Sequence, residues 1–338
     1  MLERPAIKDA QIIACLQKGY GVDVVHVAFL PLGADLNTAV YRVVAEDGPP
    51  YFLKLRRGIF DETSVTLPKF LSDQGIAEII APLATVSGPL WANVDAFKTI
   101  LYPFVEGRNG YEVDLSDRQW IEFGAALKKI HTAVLPPALI NRLQHETYAP
   151  QARHTVRAFL ERIETDSFDD PLAVQLAEFL RLKRGKILDL VGRAERLAQF
   201  LQAQPSQPTL CHSDIHAGNL LIDADGALYI VDWDNPNLAP KERDLIGIGG
   251  GLMGNWRPPE QEELLFFQGY GEVQIDPRAL AYYRYERIIQ DIAVFCEQLF
   301  LTADGGEDRA QALRFLKSNF LPNHTIEIAY KSDKILIY

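Results

Sequence analysis

The sequence predicts an α+β chain in two lobes: an antiparallel sheet within residues 1–102, a hinge at 103–110 and a mainly helical lobe over 111–338. Three observations carry that reading. Between residues 24 and 55, three β-rich apolar runs follow one another with only turn residues between them. That is the spacing of antiparallel neighbours, not of repeated βαβ units. After "EGRNG" (106–110) the pattern changes to long amphipathic segments of helical period. A second β-rich stretch, "LCHSDIHAGNLLIDADGALYIVDWDN" (210–235), then interrupts the helices and is loaded with polar side chains.

Taken in order, residues 5–18 read as a helix, with Pro5 early and Ile12, Ile13 and Leu16 on one face; Gly19 and Gly21 supply the stop. The strand runs are "VVHVAFL" (24–30), "AVYRVVA" (39–45) and "YFLKL" (51–55), with turn chemistry in "GAD" and "EDGPP". A helix is expected from about Glu62 to Ser72, then strand-like runs "IIAPLATV" (79–86) and "FKTILYPFV" (97–105). Helical patterns fill 116–133, 151–164, 171–202, 260–269 and 277–301. The tail "DKILIY" reads as strand-like. No internal repeat or low-complexity segment is visible in the sequence.

The chain has 338 residues, 48% apolar and 23% charged, which suits one large or two joined domains. No run approaches the ~18 apolar residues that cross a bilayer. The start "MLERPAIKDAQ" has no apolar signal core, so a cytoplasmic location is expected. Cys15, Cys211 and Cys296 are widely spaced with no C-x-x-C pair, so buried thiols are expected, not zinc or disulfides. The formal charge of −11 argues against nucleic acid and anionic membranes as partners and favours a cationic small-molecule substrate.

The polar stretch carries the chemistry. Asp214 and Asn219 stand five residues apart, and Asp232 follows thirteen residues later. Phosphoryl transfer needs a carboxylate to receive the attacking hydroxyl's proton and hard oxygen ligands for Mg²⁺. Asp214 fits the base; Asn219 and Asp232 fit the metal. A bland reading makes Asp and Asn turn formers, and Asp225-Gly226 is read that way, as a hairpin turn. It suits Asp232 poorly, because a carboxylate directly after the apolar run "LYIV" needs a partner or a metal. "SDIHAGN" also matches the Asp-x-His opening of dinuclear metallophosphoesterases, but His324 is the sole histidine after His216, which starves a second metal.

The N-terminal lobe supplies a cation. Lys54 lies inside "YFLKL", where a lysine is costly unless it meets an anion. The alternative is an edge-strand lysine facing water. Glu62 in the next helix is the expected ion-pair partner, with Asp61 the rival. The turn at Gly33 could lay backbone N–H groups over phosphates, although neither G-x-G-x-x-G nor a Walker motif is present.

With the Gly33 turn, Lys54, Glu62, the hinge, "HSDIHAGN" and "VDWD" in that order, the chain resembles the aminoglycoside phosphotransferase family across both lobes. The resemblance implies a bilobal protein-kinase-like fold, ATP and Mg²⁺, with Asp214 as base, Asn219 and Asp232 on the metal and Lys54 on the phosphates. The adenine would lie at "YPFVEG", read by the Pro103 carbonyl and the Val105 N–H with Tyr102 behind. His216 stands where the protein-kinase loop has a lysine, and His212 is expected to hold the loop. Asp244 either anchors that loop through backbone N–H groups or lines an acidic site with its neighbours in "KERDL". The blocks "LCHSDIHAGN", "APKERDLIGIGGG" and "YYRYERIIQDIAVF" resemble those of family members that act on an aminocyclitol, and this resemblance implies an acceptor such as spectinomycin. The catalytic block is shared with kinases of choline, homoserine and methylthioribose. For a cationic acceptor the expected acidic groups are Asp234, Glu286 and Asp291, the last two unless Glu286 pairs locally with Arg287. Trp256 either walls the pocket or belongs to the core, and the glycine-rich segment 247–256 serves close packing or a lid.

Overall fold

The structure, a computed structural model, describes residues 2–33, 35–46, 48–204, 207–302 and 305–334. Ala34 and Asp47 of the two expected turns, and residues 335–338 of the tail, lie outside the described residues. The chain begins α1 (Asp9–Tyr20), β1 (Val24–Leu30), β2 (Thr38–Ala45), β3 (Tyr51–Arg57), α2 (Thr63–Asp73), β4 (Ala92–Val94), β5 (Phe97–Pro103) and β6 (Gly107–Asn109). It continues α3 (Asp117–His131), α4 (Pro137–Ile140), β7 (Gln144–His145), α5 (Gln151–Thr165), α6 (Pro171–Gln202) and β8 (Thr209–Cys211). A 3₁₀ turn (Ala217–Asn219), β9 (Leu220–Asp223), β10 (Leu228–Ile230) and β11 (Asn237–Ala239) follow. The last elements are α7 (Glu242–Leu245), α8 (Pro259–Tyr270), α9 (Pro277–Leu301), α10 (Gly306–Ser318) and α11 (Thr325–Lys334).

Two compact units result, and they do not follow chain order. One gathers the described residues of Met1–Leu115, Ala133–Leu143 and Gly218–Pro236; the other gathers those of Ser116–Thr132, Gln144–Ala217 and Asn237–Tyr338.

The first unit is built on an antiparallel sheet of order β1-β2-β3-β5-β4. Alternation along β3 sends Leu53 and Leu55 into a core with Ile12 and Leu16 of α1, Tyr41 and Val43 of β2 and Leu101 of β5. Lys54 therefore faces the other way, between Val40 of β2 and Ile100 of β5. Helix α1 begins later than expected, because Lys8 is extended and the Gln11 side chain accepts its N–H. Gly21, left-handed at φ +67°, ends it. The run "IIAPLATV" is not a strand. Pro82 has no N–H to give a ladder, and although Leu83 donates to the Leu101 carbonyl, Thr85 already turns back to Pro89. A second sheet of this unit has the order β10-β9-β6.

The second unit is a helical assembly around α9, whose Tyr285, Ile288, Ile289 and Ile292 are buried among α5, α6, α10 and α11. Helices α6 and α9 start alike: Asp170 and Asp276 cap the backbone N–H groups of Ala173 and Arg278, each followed by a proline at the first helical position. A small sheet of order β7-β11-β8 leads into the polar loop. The tail departs from its strand-like pattern where it is described, since Asp333 and Lys334 belong to α11. No helix among the described residues is long and apolar enough to cross a membrane.

Candidate active site

In the first unit the hairpin of β9 and β10 organises the polar residues. Asp223 accepts the N–H groups of Asp225 and Ala227, and Gly226 takes φ +84°, so the hairpin turn expected at Asp225-Gly226 forms. The Val231 N–H then donates to the Asn219 carbonyl at 3.0 Å, which brings Asp232 next to Asn219. Asp232 itself is left-handed at φ +67°, an uncommon conformation for a residue with a Cβ and one that gathers at functional sites.

Lys54 meets this turn. Its Nζ lies 2.6 Å from Asp232 Oδ1 and 2.6 Å from Asp234 Oδ1, and Arg56 donates to Asp234 Oδ2. Burial alone would lower the Lys54 pKa, but the two carboxylates more than reverse this and hold it above the ordinary lysine value. The expected partner of Lys54 was Glu62. The structure gives a different pairing: Glu62 stands just before the first turn of α2, half-exposed, with Arg142 Nη1 at 3.1 Å. Asp234, expected to meet a cationic acceptor, is instead engaged through both oxygens by Lys54 and Arg56. Gly33 has φ +84°, a conformation open to glycine. Pro103 ends β5 opposite Tyr51, Phe104 donates to the Pro50 carbonyl, and Val105 follows, half-buried.

In the second unit the loop after β8 presents Asp214. The buried Asp244 carboxylate accepts the N–H groups of His212 and Ser213, each at 2.7 Å, so the anchor reading of Asp244 describes its contacts. That grip suits Ser213, which is left-handed at φ +75°. Asp244 Oδ2 is also 3.1 Å from His131 Nε2, and His131 Nδ1 is 2.8 Å from the Tyr270 hydroxyl. Burial pushes the Asp244 pKa up, but His131, His212 and the Ser213 N–H outweigh it and leave the carboxyl below its ordinary range. His212, fully buried, accepts the Asp214 N–H on Nδ1 at 3.3 Å.

The Asp214 carboxylate is held separately. Arg287 Nη1 donates to Asp214 Oδ1, Arg287 Nε lies 3.1 Å from Asp291 Oδ1, and His216 Nε2 is 3.8 Å from Asp214 Oδ1. Burial raises the Asp214 pKa, but Arg287, then His216 and His212, bring it down to about 2. Glu286 does not pair with its neighbour Arg287, since adjacent residues on a helix face apart. It is buried with Arg153 Nη1 at 3.5 Å, and burial pushes its pKa up to about 7 against the pull of Arg153. Asp291 is raised by burial, with Arg287 opposing and Asp214 adding to the rise. Trp256 is 49% exposed, which removes the core alternative. The glycines of 247–256 serve packing: a Cβ on Gly250 would meet the Ile246 carbonyl at 1.8 Å, and Gly249 donates to Glu262 Oε2.

Arg287, His131 and Arg56 are the residues that sequence reading missed in these roles. Arg287 and Asp291 stand one helical turn apart, a legible i,i+4 pair. Nothing in the linear pattern ties Arg287 to Asp214, 73 positions away, or His131 to Asp244, 113 away.

The sequence profile of the phosphotransferase enzyme family matches residues 28–283. Spectinomycin phosphotransferase, APH(9)-Ia, solved in complex with ADP and spectinomycin, is 38% identical over 98% of this chain and 100% of its own, with a TM-score of 0.89. The AMP-bound complex of the same enzyme is similar at 37% identity, covering 96% of this chain and 98% of that one, with a TM-score of 0.84. Protein StrN of Streptomyces griseus is 25% identical over 227 residues, 65% of this chain and 68% of its own. The kinase-like fold and the family expected from the two motif blocks are thus both found: the chain belongs to the phosphotransferase enzyme family.

Proposed function

We propose that the protein is an ATP- and Mg²⁺-dependent kinase that moves the γ-phosphoryl group to a hydroxyl of an aminocyclitol or aminoglycoside antibiotic, spectinomycin foremost, and so confers resistance to it. The observation that carries the reading is the 38% identity to a spectinomycin phosphotransferase over nearly the whole of both chains.

Within it, each residue has a chemical task. Asp214 orients the acceptor hydroxyl and receives its proton. A carboxyl with a pKa of about 2 cannot deprotonate an alcohol beforehand, so the proton moves late, as a loose phosphoryl-transfer transition state allows. Lys54, kept charged by Asp232 and Asp234, provides a fixed cation for the α- and β-phosphates. Asn219 and the half-exposed Asp232 offer amide and carboxylate oxygens, the hard donors that suit Mg²⁺. The metal, when bound, neutralises charge on the phosphates. Gly33 covers the phosphates with backbone, and the segment 103–110 reads adenine through the Pro103 carbonyl and the Val105 N–H. Glu62 pairs with Arg142 and not with Lys54. The acidic candidates for a cationic acceptor, Asp234, Glu286 and Asp291, are each paired with a basic side chain, Lys54 and Arg56, Arg153 and Arg287 respectively.

The test is an ATP-consumption assay with Mg²⁺ against spectinomycin, kanamycin, streptomycin, choline and homoserine. Turnover with spectinomycin alone supports the narrow reading. Turnover with another acceptor only keeps the phosphotransferase and discards the acceptor. In the active pairing, Asp214→Ala should lower kcat by roughly 10²–10⁴ while nucleotide binding survives.

A further inference from the structure

We propose that Arg287 is a positioning residue for the transfer reaction: it turns and holds the Asp214 carboxylate, and Asp291 in turn holds Arg287. The inference rests on Asp214 being the group that receives the acceptor's proton.

Two independent grips act on Asp214. The backbone of its loop is fixed by Asp244, which takes the N–H groups of the two preceding residues. The side chain beyond that backbone turns about a soft, roughly two-fold torsion, which the Asp244 contacts do not themselves set. The guanidinium of Arg287 removes that freedom by donating to Oδ1.

The guanidinium is itself well placed to act as a fixed point. It projects from α9, whose neighbouring Glu286, Ile288 and Ile289 are buried, so its Cα belongs to a rigid element. Asp291 lies one turn along the same helix, with Oδ1 3.1 Å from Arg287 Nε, and restrains the far side of the fork. The three side chains remain a quarter to a third exposed, so the cluster is neither sealed in the core nor a fully solvated pair. The charged and titratable groups facing Asp214 include Arg287, His216, His212 and Asp291, and those facing Asp291 include Arg287 and Asp214.

The experiment uses the full chain and whichever acceptor of the panel the native enzyme turns over. Steady-state kinetics are compared for Arg287→Met, Arg287→Lys, Asp291→Asn and Asp214→Asn, with thermal melting as the check on folding. Arg287→Met should lower kcat by about 10–100-fold, the scale of a small misplacement, with both KM values within about threefold of native. Arg287→Lys should restore part of that loss, and Asp291→Asn should reproduce a smaller part of it. Removing the cation also raises the Asp214 pKa, so the acid limb of kcat/KM should move up in Arg287→Met by about one to three pH units. Native kcat in Arg287→Met overturns the proposal. So does a loss that Lys does not rescue, that falls on KM, or that leaves the acid limb in place. Inactive Asp214→Asn beside fully active Arg287→Met removes the role of Arg287 alone. Active Asp214→Asn, or a native enzyme that turns over no acceptor, removes the underlying reading as well.

Discussion

Lys54 Nζ lies 2.6 Å from Asp232 Oδ1, a contact that ties the middle of β3 to the turn after β10 across 178 positions of sequence. The lysine is nearly buried and its partner half-exposed. Both halves matter: burial demands an anion for Lys54, and exposure leaves Asp232 room for further ligands.

Replacing Lys54 by Met should therefore harm both stability and nucleotide use. The loss of one partner from a fully buried pair costs ~3–5 kcal/mol; here exposure of Asp232 and the remaining Arg56–Asp234 contact reduce this to about 1–3 kcal/mol. The KM for ATP should rise by about tenfold or more, since one charge-assisted phosphate contact disappears. Urea unfolding and ATP titration check the two effects separately, and an unchanged KM would remove Lys54 from the phosphate site.

Asp244→Asn should loosen the loop that carries Asp214. A neutral amide has a single carbonyl oxygen to offer where the carboxylate serves two N–H groups and His131, and the expected cost is about 2–4 kcal/mol at neutral pH. The folded carboxyl has a depressed pKa, so its stabilisation is present above the unfolded value near 3.9 and is lost as pH falls through the folded one. The stability gap between native and variant should accordingly narrow on acidification, measured by denaturant titration at several pH values. A gap that widens contradicts the assignment.

Glu286 gives the opposite slope. Its folded pKa is raised to about 7, so its contribution is full below about pH 4.3 and is lost as pH rises to about 7. Glu286→Gln should flatten that part of the stability profile and leave the variant at least as stable as the native protein at pH 8, by up to roughly 2–3 kcal/mol. Arg153 stays bonded in the variant, because it donates to the carbonyls of Tyr148 and Ala194. Melting curves from pH 5 to pH 8 decide it: a variant less stable than native at pH 8 would show that the ion pair outweighs the cost of burial.

Gly124 and Gly269 permit α3 and α8 to touch. A Cβ on Gly124 would lie 2.1 Å from the Phe266 carbonyl, and one on Gly269 1.8 Å from that of Ile121. Gly124→Ala must push two backbones apart and should cost about 1–3 kcal/mol or more. Gly185→Ala in α6 meets nothing within 4 Å and should instead stabilise by about 0.5–1 kcal/mol, through helix propensity and a less flexible unfolded chain. Opposite signs for the two substitutions are the expected calorimetric result.

Much of the architecture was legible because it depends on local chemistry. The strands at 24–30 and 51–57 and the helices at 171–202 and 277–301 emerge from period, caps and turn residues that neighbours in sequence determine. Asp214, Asn219 and Asp232 could be picked out as candidates for the same reason, since their spacing lies within one loop and one hairpin. By itself, then, the sequence determined most of the elements, the family and the residue types available for chemistry. The tertiary structure decided which charges meet. Lys54 has two carboxylates in the segment after β10 and Glu62 has Arg142, because sheet register and helix position set reach, and no local pattern encodes that distance. "IIAPLATV" has strand composition but lacks a ladder, since pairing depends on a partner edge that Pro82 does not serve. Arg287 reaches Asp214 only once α9 is packed beneath the loop. Partial burial then makes that contact consequential, because opposite charges attract more strongly where water is partly displaced from around them.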